Sequence, residues 1–301
     1  MLKSDSRICF IFNPSADRNR SERHIDWLNR EAKKRWFNYE IIITKKSDNV
    51  SQLASDKASQ FDIIVACGGD GTVHQVVNGL AETDTLFGVL PIGSGNDFVK
   101  TLHLNKTLPE CIDIIYTQRT TPIDLIRFEG DVTGWCANTI GFGLDGWANY
   151  YASSHRKLKG HIIYVLGAIR AALTYRGSRI QGKINESKFN DDFLMITTCN
   201  GKWEGGSFFV APKAEMTDGK MNLLLIKQIP VYKILFYLPW FIRGPSSFMN
   251  GVETTMCSRL KIRSDKPSAV HCDGEHLGES ISKLDLFIVP NALNVIKPAD
   301  Y

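Results

Sequence analysis

Residues 62–80 read DIIVACGGDGTVHQVVNGL: an unbroken apolar run, then Gly68, Gly69 and Gly71 set around Asp70, then apolar positions at helical spacing. A strand that breaks into bare glycines and resumes as a helix is the unit from which parallel sheets are wound. The flanking sequence repeats it. "RICFIF", "YEIIIT", "DIIVACGG" and "FGVLPIG" alternate with the helical patterns "SERHIDWLNREAKKRW", "NVSQLASDKASQ", "TVHQVVNGLAE" and "DFVKTLHL". Continuous apolar strands separated by helices predict an α/β domain over residues 1–122, its parallel sheet covered on both faces. From "RTTPIDLIRFEG" onward the strands come in groups, and their turns are richer in Gly, Asp and Asn: "GWCANTIGFG", "SRIQGKINE", "DDFLMITTCNG", "KMNLLLIKQI", "RLKIRSD", "SAVHCDGEHLG" and "KLDLFIVPNALNVIKP". Two helical patterns, "HIIYVLGAIRAALTYR" and "VYKILFYLPWFIRG", interrupt them. Residues 123–301 are therefore expected to form an antiparallel, β-rich second domain. A cleft between the two halves is the default place for a site.

Composition narrows the classes. With 301 residues, 43% of them apolar, the chain can bury a substantial core. A net charge of +4 tolerates anionic substrates or a membrane surface but falls short of a nucleic-acid signature. The seven cysteines stand singly inside apolar runs, without a C-x-x-C pair, and read as reduced core thiols in a cytosolic protein. The start, "MLKSDSRICFIFNP", does not suit a signal peptide, and no apolar run reaches the ~20 residues of a spanning helix. A cytoplasmic protein, at most peripheral to a membrane, is expected.

The opening loop has chemistry of its own. Gly68, Gly69 and Gly71 would permit backbone conformations closed to other residues and let a ligand lie on the peptide N–H groups. The helix beginning near Thr72 would point its positive end at the same place, which suits phosphate. A carboxylate there would repel phosphate unless it binds a cation or a sugar hydroxyl. Asp70 therefore reads as a magnesium or hydroxyl partner, against the plainer reading of a helix cap. The next strand ends in "PIGSGNDFVKTL", and the first in "FNPSADRNR", so three loops would meet at one carboxyl edge, where ligands of open α/β sheets bind. Asn96 and Asp97 could act there or simply cap a helix. Asn13 and Ser15 begin the third loop, and Arg18 and Arg20 could pair with phosphates.

These segments carry a resemblance. "NPSADR", "GGDGTVHQVVNGL", "PIGSGNDFVKTL", "IDLIRF", "NTIGFGLDG", "GGSFFVAPKAEMTDGKMNLLLI" and "CDGE" stand in the order seen in the diacylglycerol kinase catalytic family, and the chain most resembles its bacterial soluble, YegS-like lipid kinases. The resemblance implies an α/β nucleotide domain of phosphofructokinase and NAD kinase type, then a β-sandwich-like domain that accepts lipid, with the last strand returning to the first domain. It implies an ATP- and Mg2+-dependent kinase acting on a diacylglycerol-like lipid at a membrane surface, with no nucleic-acid partner and a homodimer left open. A kinase of a soluble hydroxyl compound such as NAD, or a nucleotide-binding regulator without catalysis, is the alternative.

The resemblance also implies roles for single residues. ATP would lie on Asn13, Pro14, Ser15, Ala16, Asp17 and Arg18, on Thr44, on Gly69, Asp70, Gly71, Thr72, Val73, His74 and Gln75, and on Ser94, where the family often has threonine. Asp17 stands where the family usually has glycine and adds a charge beside the ligand, whereas Arg18 keeps the usual cation. In "HCDGEHLG", alternation along a strand would bring Asp273 and Glu275 to one side, one as general base and the other as its orienter; a β-turn aspartate is the plain reading. The resemblance favours deprotonation of the lipid hydroxyl there, with Asp70 and Mg2+ lined up for in-line transfer. It further implies a structural magnesium on Asp218, with Glu215 and Lys220 at neighbouring positions, where a "DG" hairpin is the alternative. Asp145, in "GFGLDG", stands where an orienting or lipid-binding acid lies, or in a plain turn. "VYKILFYLPWFIRG" could touch a membrane or form a core helix. The histidines, His74, His271 and His276 among them, show no metal spacing and read as incidental.

Overall fold

A computed structural model of the chain describes residues 4–16, 22–93, 95–154 and 161–298. They fall into two units, Met1–Ile123 with Asn291–Tyr301, and Asp124–Pro290.

In the first unit, strands β1 (Ile8–Phe12), β2 (Tyr39–Ile43), β3 (Ile63–Gly68) and β4 (Leu86–Pro91) alternate with helices α1 (Glu22–Arg35), α2 (Val50–Ala58), α3 (Asp70–Leu80), α4 (Asp97–Thr101) and α5 (Leu108–Thr117). Every residue of β1 and β3 is buried, as a sheet covered on both faces requires. β1 pairs in parallel with β2 and β3, β3 with β4, and Asn294 and Val295 near the chain's end with Leu86 and Phe87 of β4. The helix starts follow local chemistry. Asn49 caps α2 by accepting from the Gln52 N–H, and Thr107 and Glu110 close a reciprocal capping box on α5.

The second unit opens within β5 (Thr120–Gly130) and continues through β6 (Gly134–Cys136), β7 (Thr139–Gly143), α6 (Leu144–Ser154), α7 (His161–Thr174), β8 (Ser178–Ile184), β9 (Ser187–Cys199), β10 (Met221–Lys227), α8 (Val231–Tyr237), a 3-10 helix at Leu238–Ile242, β11 (Val252–Cys257), β12 (Arg259–Cys272) and β13 (Glu275–Ile296). Its pairing is antiparallel. The long strands β9 and β12 each pair with β7 at one end and β8 at the other, so the sheet doubles back on itself as a sandwich-like layer. A core of Phe142, Ile180, Phe193, Leu223, Leu260 and Val270 fills that fold. On the other side α6, α7, α8 and the 3-10 helix pack through Leu144, Ala171, Tyr237 and Phe241 against Leu194, Leu224 and Ile226.

Three local readings are corrected. "LDGWANYYASS" is a helix, α6, so Asp145 lies in a first helical turn rather than in a reverse turn. Gly146 is there for packing, since a Cβ on it would overlap the Ala269 carbonyl oxygen. "VETTMC", unread as a strand, pairs as β11 with β10. "VYKILFYLPWFIRG" does not run as one α-helix. It tightens to 3-10 geometry at Leu238, beside Pro239, which has no N–H to continue the ladder. Among the described residues no helix is long and apolar enough to cross a membrane.

Candidate functional site

In the first unit the loops after β1, β3 and β4 are stitched together at the carboxyl edge of the sheet. The Asn13 N–H donates to the Cys67 carbonyl at 2.9 Å, and its side-chain amide donates to Thr72 Oγ1 at 3.0 Å. Asn13 Oδ1 also accepts from the Ser15 N–H at 2.9 Å. The N–H groups of Ile92 and Gly93 both donate to the Gly68 carbonyl, at 2.9 and 3.2 Å. Thr44 is buried at the end of β2, and its hydroxyl donates to the Phe12 carbonyl at 3.2 Å. Val73 is buried in α3, whereas His74 and Gln75 are half-buried; Pro14 and Ala16 are half-buried and Ser15 is exposed. Asp17, Arg18, Arg20 and Ser94 lie outside the described residues.

Asp70 opens α3, and its two carboxylate oxygens accept from the N–H groups of Asn96 and Asp97, each at 2.8 Å. The lone carboxylate on a bare turn is thus a clip that caps the next helix, α4. Asn96 sits at the N-cap position in left-handed geometry (φ 55°), but its amide donates to the Gly93 carbonyl at 2.9 Å instead of capping. Asp97 is buried and pairs with Lys100 at 3.0 Å. Burial, and then repulsion by Asp97, push the Asp70 carboxyl up to about 6 against the pull of its N–H partners and Lys100.

Gly69, Gly93 and Gly95 serve close approach, not unusual torsions. Gly69 has φ −98°, and Gly68, Gly71 and Gly93 are not among the positive-φ residues. A Cβ on Gly93 would overlap Gly69 Cα, and one on Gly95 would stand 2.5 Å from Asp70 Oδ2. Gly93→Ala is accordingly expected to destabilise the fold by about 1–3 kcal/mol through overpacking between two backbones. Denaturant titration checks this, and an unchanged midpoint would show that the two loops can part freely.

In the second unit, Asp273 and Gly274 form the two-residue turn between β12 and β13, both at positive φ, 51° and 86°. The Asp273 carboxylate accepts from the N–H groups of Ala137, Asn138 and Thr139 at 3.0, 2.8 and 3.1 Å. Strand alternation therefore does not apply to this pair: Asp273 turns back to hold the β6–β7 connection, while Glu275 begins β13 with an exposed side chain. α6 reaches the same turn, since the Asn149 amide donates to the Gly274 carbonyl at 2.7 Å.

Asp218 Oδ1 accepts from the Lys220 N–H at 2.9 Å, and the Gly219 N–H donates to Asp124 Oδ2 at 2.7 Å. Asp124 is buried on β5, and its own N–H donates to the Met216 carbonyl at 2.6 Å. Two carboxylates thus flank one short turn, an all-oxygen donor set of the kind a hard cation takes. Glu215 and Lys220, at the neighbouring positions, are exposed there. Sequence reading missed Asp124, although it lies in the quoted "IDLIRF".

A cavity of about 620 Å³, measured out to its open mouth, lies between β9, β10 and the helices α6, α7 and α8. Met195, Leu224, Ile226, Ile234, Tyr237 and Phe241 make its walls apolar, and Asp145 and Glu204 are the acids that line it. Behind them sits His271, 1% exposed on β12, with Nε2 3.1 Å from Asp145 Oδ2 and 3.2 Å from Glu204 Oε1. The Thr197 hydroxyl donates to Asp145 Oδ2 at 2.6 Å. Burial opposes ionisation of Asp145, yet the adjacent His271 charge outweighs it and holds that carboxyl below the usual range. Burial and then the Asp145 charge push Glu204 up to about 8, and the two acids keep His271 well above an ordinary imidazole despite its burial. Glu204 carries no motif and was not read from sequence; His271 was read as incidental, because strand and turn residues distant in sequence give no spacing signal.

The outer face of α8 and the 3-10 helix exposes Tyr232, Phe236, Trp240 and Ile242, and Arg243 stacks on Trp240 at 5.9 Å. Its inner face supplies Ile234, Tyr237 and Phe241 to the cavity wall.

Residues 7–128 match the family model described as diacylglycerol kinase catalytic domain, and residues 138–297 match the YegS C-terminal NAD kinase beta sandwich-like domain. A protein named diacylglycerol kinase from Bacillus subtilis (strain 168) is 24% identical over 277 residues, covering 90% of each chain. A crystal structure from Bacillus anthracis strain Sterne superposes with a TM-score of 0.81 at 21% identity, and a second, titled as a diacylglycerol kinase from that strain, with 0.77 at 19%. Each covers 99% of both chains.

Proposed function

Because the chain belongs to the lipid kinase family that joins a diacylglycerol kinase catalytic domain to a YegS-type beta sandwich-like domain, we propose that it transfers the γ-phosphate of ATP, with Mg2+, to a hydroxyl of a diacylglycerol-like lipid. The observation that carries the lipid reading is the apolar cavity of the second unit, whose aliphatic and aromatic walls suit an apolar ligand and which is also lined by two acids.

The first unit's residues fit a nucleotide and its metal. The first N–H groups of α3 have no partner within the helix and sit at its positive end, next to the Asn13–Thr72 pair, so they would hold phosphate oxygens. Asp70 and Asp97 are two close carboxylates whose mutual repulsion a divalent cation would relieve. Magnesium, when bound, would neutralise charge on the transferring phosphoryl group. Asp124 and Asp218 would hold a second, structural ion.

Glu275 would take the proton from the lipid hydroxyl, since its carboxylate is exposed, whereas both oxygens of Asp273 are already committed to N–H donors. Asp273 would set the turn that presents Glu275. The exposed aromatic face of α8 and the 3-10 helix, with Lys233 and Arg243 beside it, suits contact with a membrane surface from which lipid is drawn.

Filling the cavity tests this reading. Ala168→Phe, on the α7 wall, is expected to raise KM for lipid by about tenfold or more, the loss that a displaced apolar contact of one to two kcal/mol gives. KM for ATP should stay as in the parent. An unchanged lipid KM would show that the acceptor does not use this cavity.

A further inference from the structure

The cluster at the inner end of the cavity is built for more than an ion pair. Asp145 comes from the first turn of α6, Glu204 from the turn after β9, and His271 from β12, paired in register with Gly141 of β7. A Cβ at position 141 would overlap both Asp145 Oδ2 and His271 Nε2, so the bare strand position makes the space in which the two side chains meet. Glu204 is fixed by paired backbone hydrogen bonds with Phe208, both 2.9 Å, and Asp145 by Thr197. Three rigid elements thus aim three potential ligand atoms at one point. Yet His271, fully buried, makes no well-formed hydrogen bond through Nε2 to either carboxylate, and the second Glu204 oxygen is buried without a partner.

Asp145 Oδ2, Glu204 Oε1 and His271 Nε2 all lie within 4.8 Å of one another. Their separations from the imidazole nitrogen, 3.1 and 3.2 Å, are close to the about 3.3 Å that bonds of about 2.0–2.1 Å to a tetrahedral ion would set. One imidazole nitrogen and two carboxylate oxygens form a donor set of intermediate softness, which suits zinc or manganese better than magnesium. Because Asp145 and Glu204 line the cavity, a fourth position would open into it, the arrangement of a metal that keeps a site for water or an occupant's oxygen.

We infer that Asp145, Glu204 and His271 form a binding site for a first-row divalent transition ion, zinc foremost, at the inner end of the apolar cavity. The inference stands on the second unit's own geometry and does not depend on the kinase reading.

The test is equilibrium dialysis of the full chain against Zn2+ and, separately, Mn2+, with excess Mg2+ present to occupy all-oxygen sites, followed by elemental counting. Cobalt absorption gives the coordination geometry. The parent is expected to retain one equivalent of zinc and to give a tetrahedral Co2+ spectrum. Glu204→Gln, nearly isosteric, and His271→Ala should each weaken binding at least tenfold. Melting curves would establish that the glutamine variant is folded, so a misfolded His271 variant would not decide the matter. A parent that retains neither zinc nor manganese, or a folded Glu204→Gln that binds as the parent does, would overturn the site and leave the cluster a buried acid–imidazole–acid pairing.

Discussion

The Glu275→Gln variant is expected to fold as stably as the parent and to phosphorylate lipid about 10²–10⁴ times more slowly, the usual contribution of a general base. Glu275 is exposed at the start of β13, so the amide costs the fold little, but it cannot take a proton. ATP binding should be untouched, because the nucleotide groups proposed here belong to the other unit. Asp273→Asn is the informative partner. Its carboxylate serves three backbone N–H groups, and an amide must leave at least one of them facing a donor. A loss of about 3 kcal/mol in stability is expected, in line with breaking charge-assisted bonds and stranding a buried N–H. Left-handed geometry at position 273 is no obstacle, since asparagine tolerates it. If Glu275→Gln turned over lipid like the parent while Asp273→Asn folded normally and was inactive, the two roles would be reversed.

Asp70→Asn should lower the rate by about 10²-fold or more, the scale seen when one preorganised charge-stabilising group is removed. Its signature in stability is separate. A carboxyl raised from 3.8 to about 6 binds its proton more tightly in the folded chain than in the unfolded one. Its stabilising contribution is therefore complete below 3.8 and is lost as pH rises through about 6. The parent should lose up to roughly 3 kcal/mol across that window from this group alone. The asparagine variant, which resembles the protonated acid, should not show that loss, and Mg2+ with nucleotide should restore stability to the parent above pH 6 but not to the variant. Chemical denaturation at pH 4, 5, 6 and 7 checks this. Identical pH profiles would show that Asp70 ionises without cost and has no need of a cation.

The sequence carried the α/β half well because its strands are buried on both faces and its helix caps are local. Alternation of "RICFIF", "YEIIIT" and "DIIVACGG" with helices needs no tertiary information to be read. The loop expected at "GGDGT" is shorter in the structure, since Gly68 ends β3, Gly69 is the N-cap and Gly71 lies in α3, and the use of Gly69, contact between two backbones, becomes visible only when it meets Gly93. Asp70 reads in sequence as a cation or hydroxyl partner, or as a cap on its own helix, because its actual partners, the N–H groups of residues 96 and 97, are backbone and leave no side-chain signal. The same holds for Asp273 and residues 137–139. α6 was missed because Gly143 and Gly146 imitate a turn, whereas Gly143 ends a strand at φ 91° and Gly146 lets a helix pack on β12. The Asp145–Glu204–His271 cluster was beyond reach, since no spacing relates residues that only the doubled sheet brings together.

The most direct measurement follows γ-labelled ATP into product with the parent protein and Mg2+, offering diacylglycerol and related lipid alcohols in mixed micelles beside glycerol and NAD in the aqueous phase. Transfer of phosphate to a lipid hydroxyl predicts label in the organic extract as a phosphorylated lipid, abolished by omitting Mg2+ and reduced by Glu275→Gln. Label appearing only in phosphorylated NAD or another soluble acceptor, or nucleotide binding with no transfer to any acceptor, would contradict it.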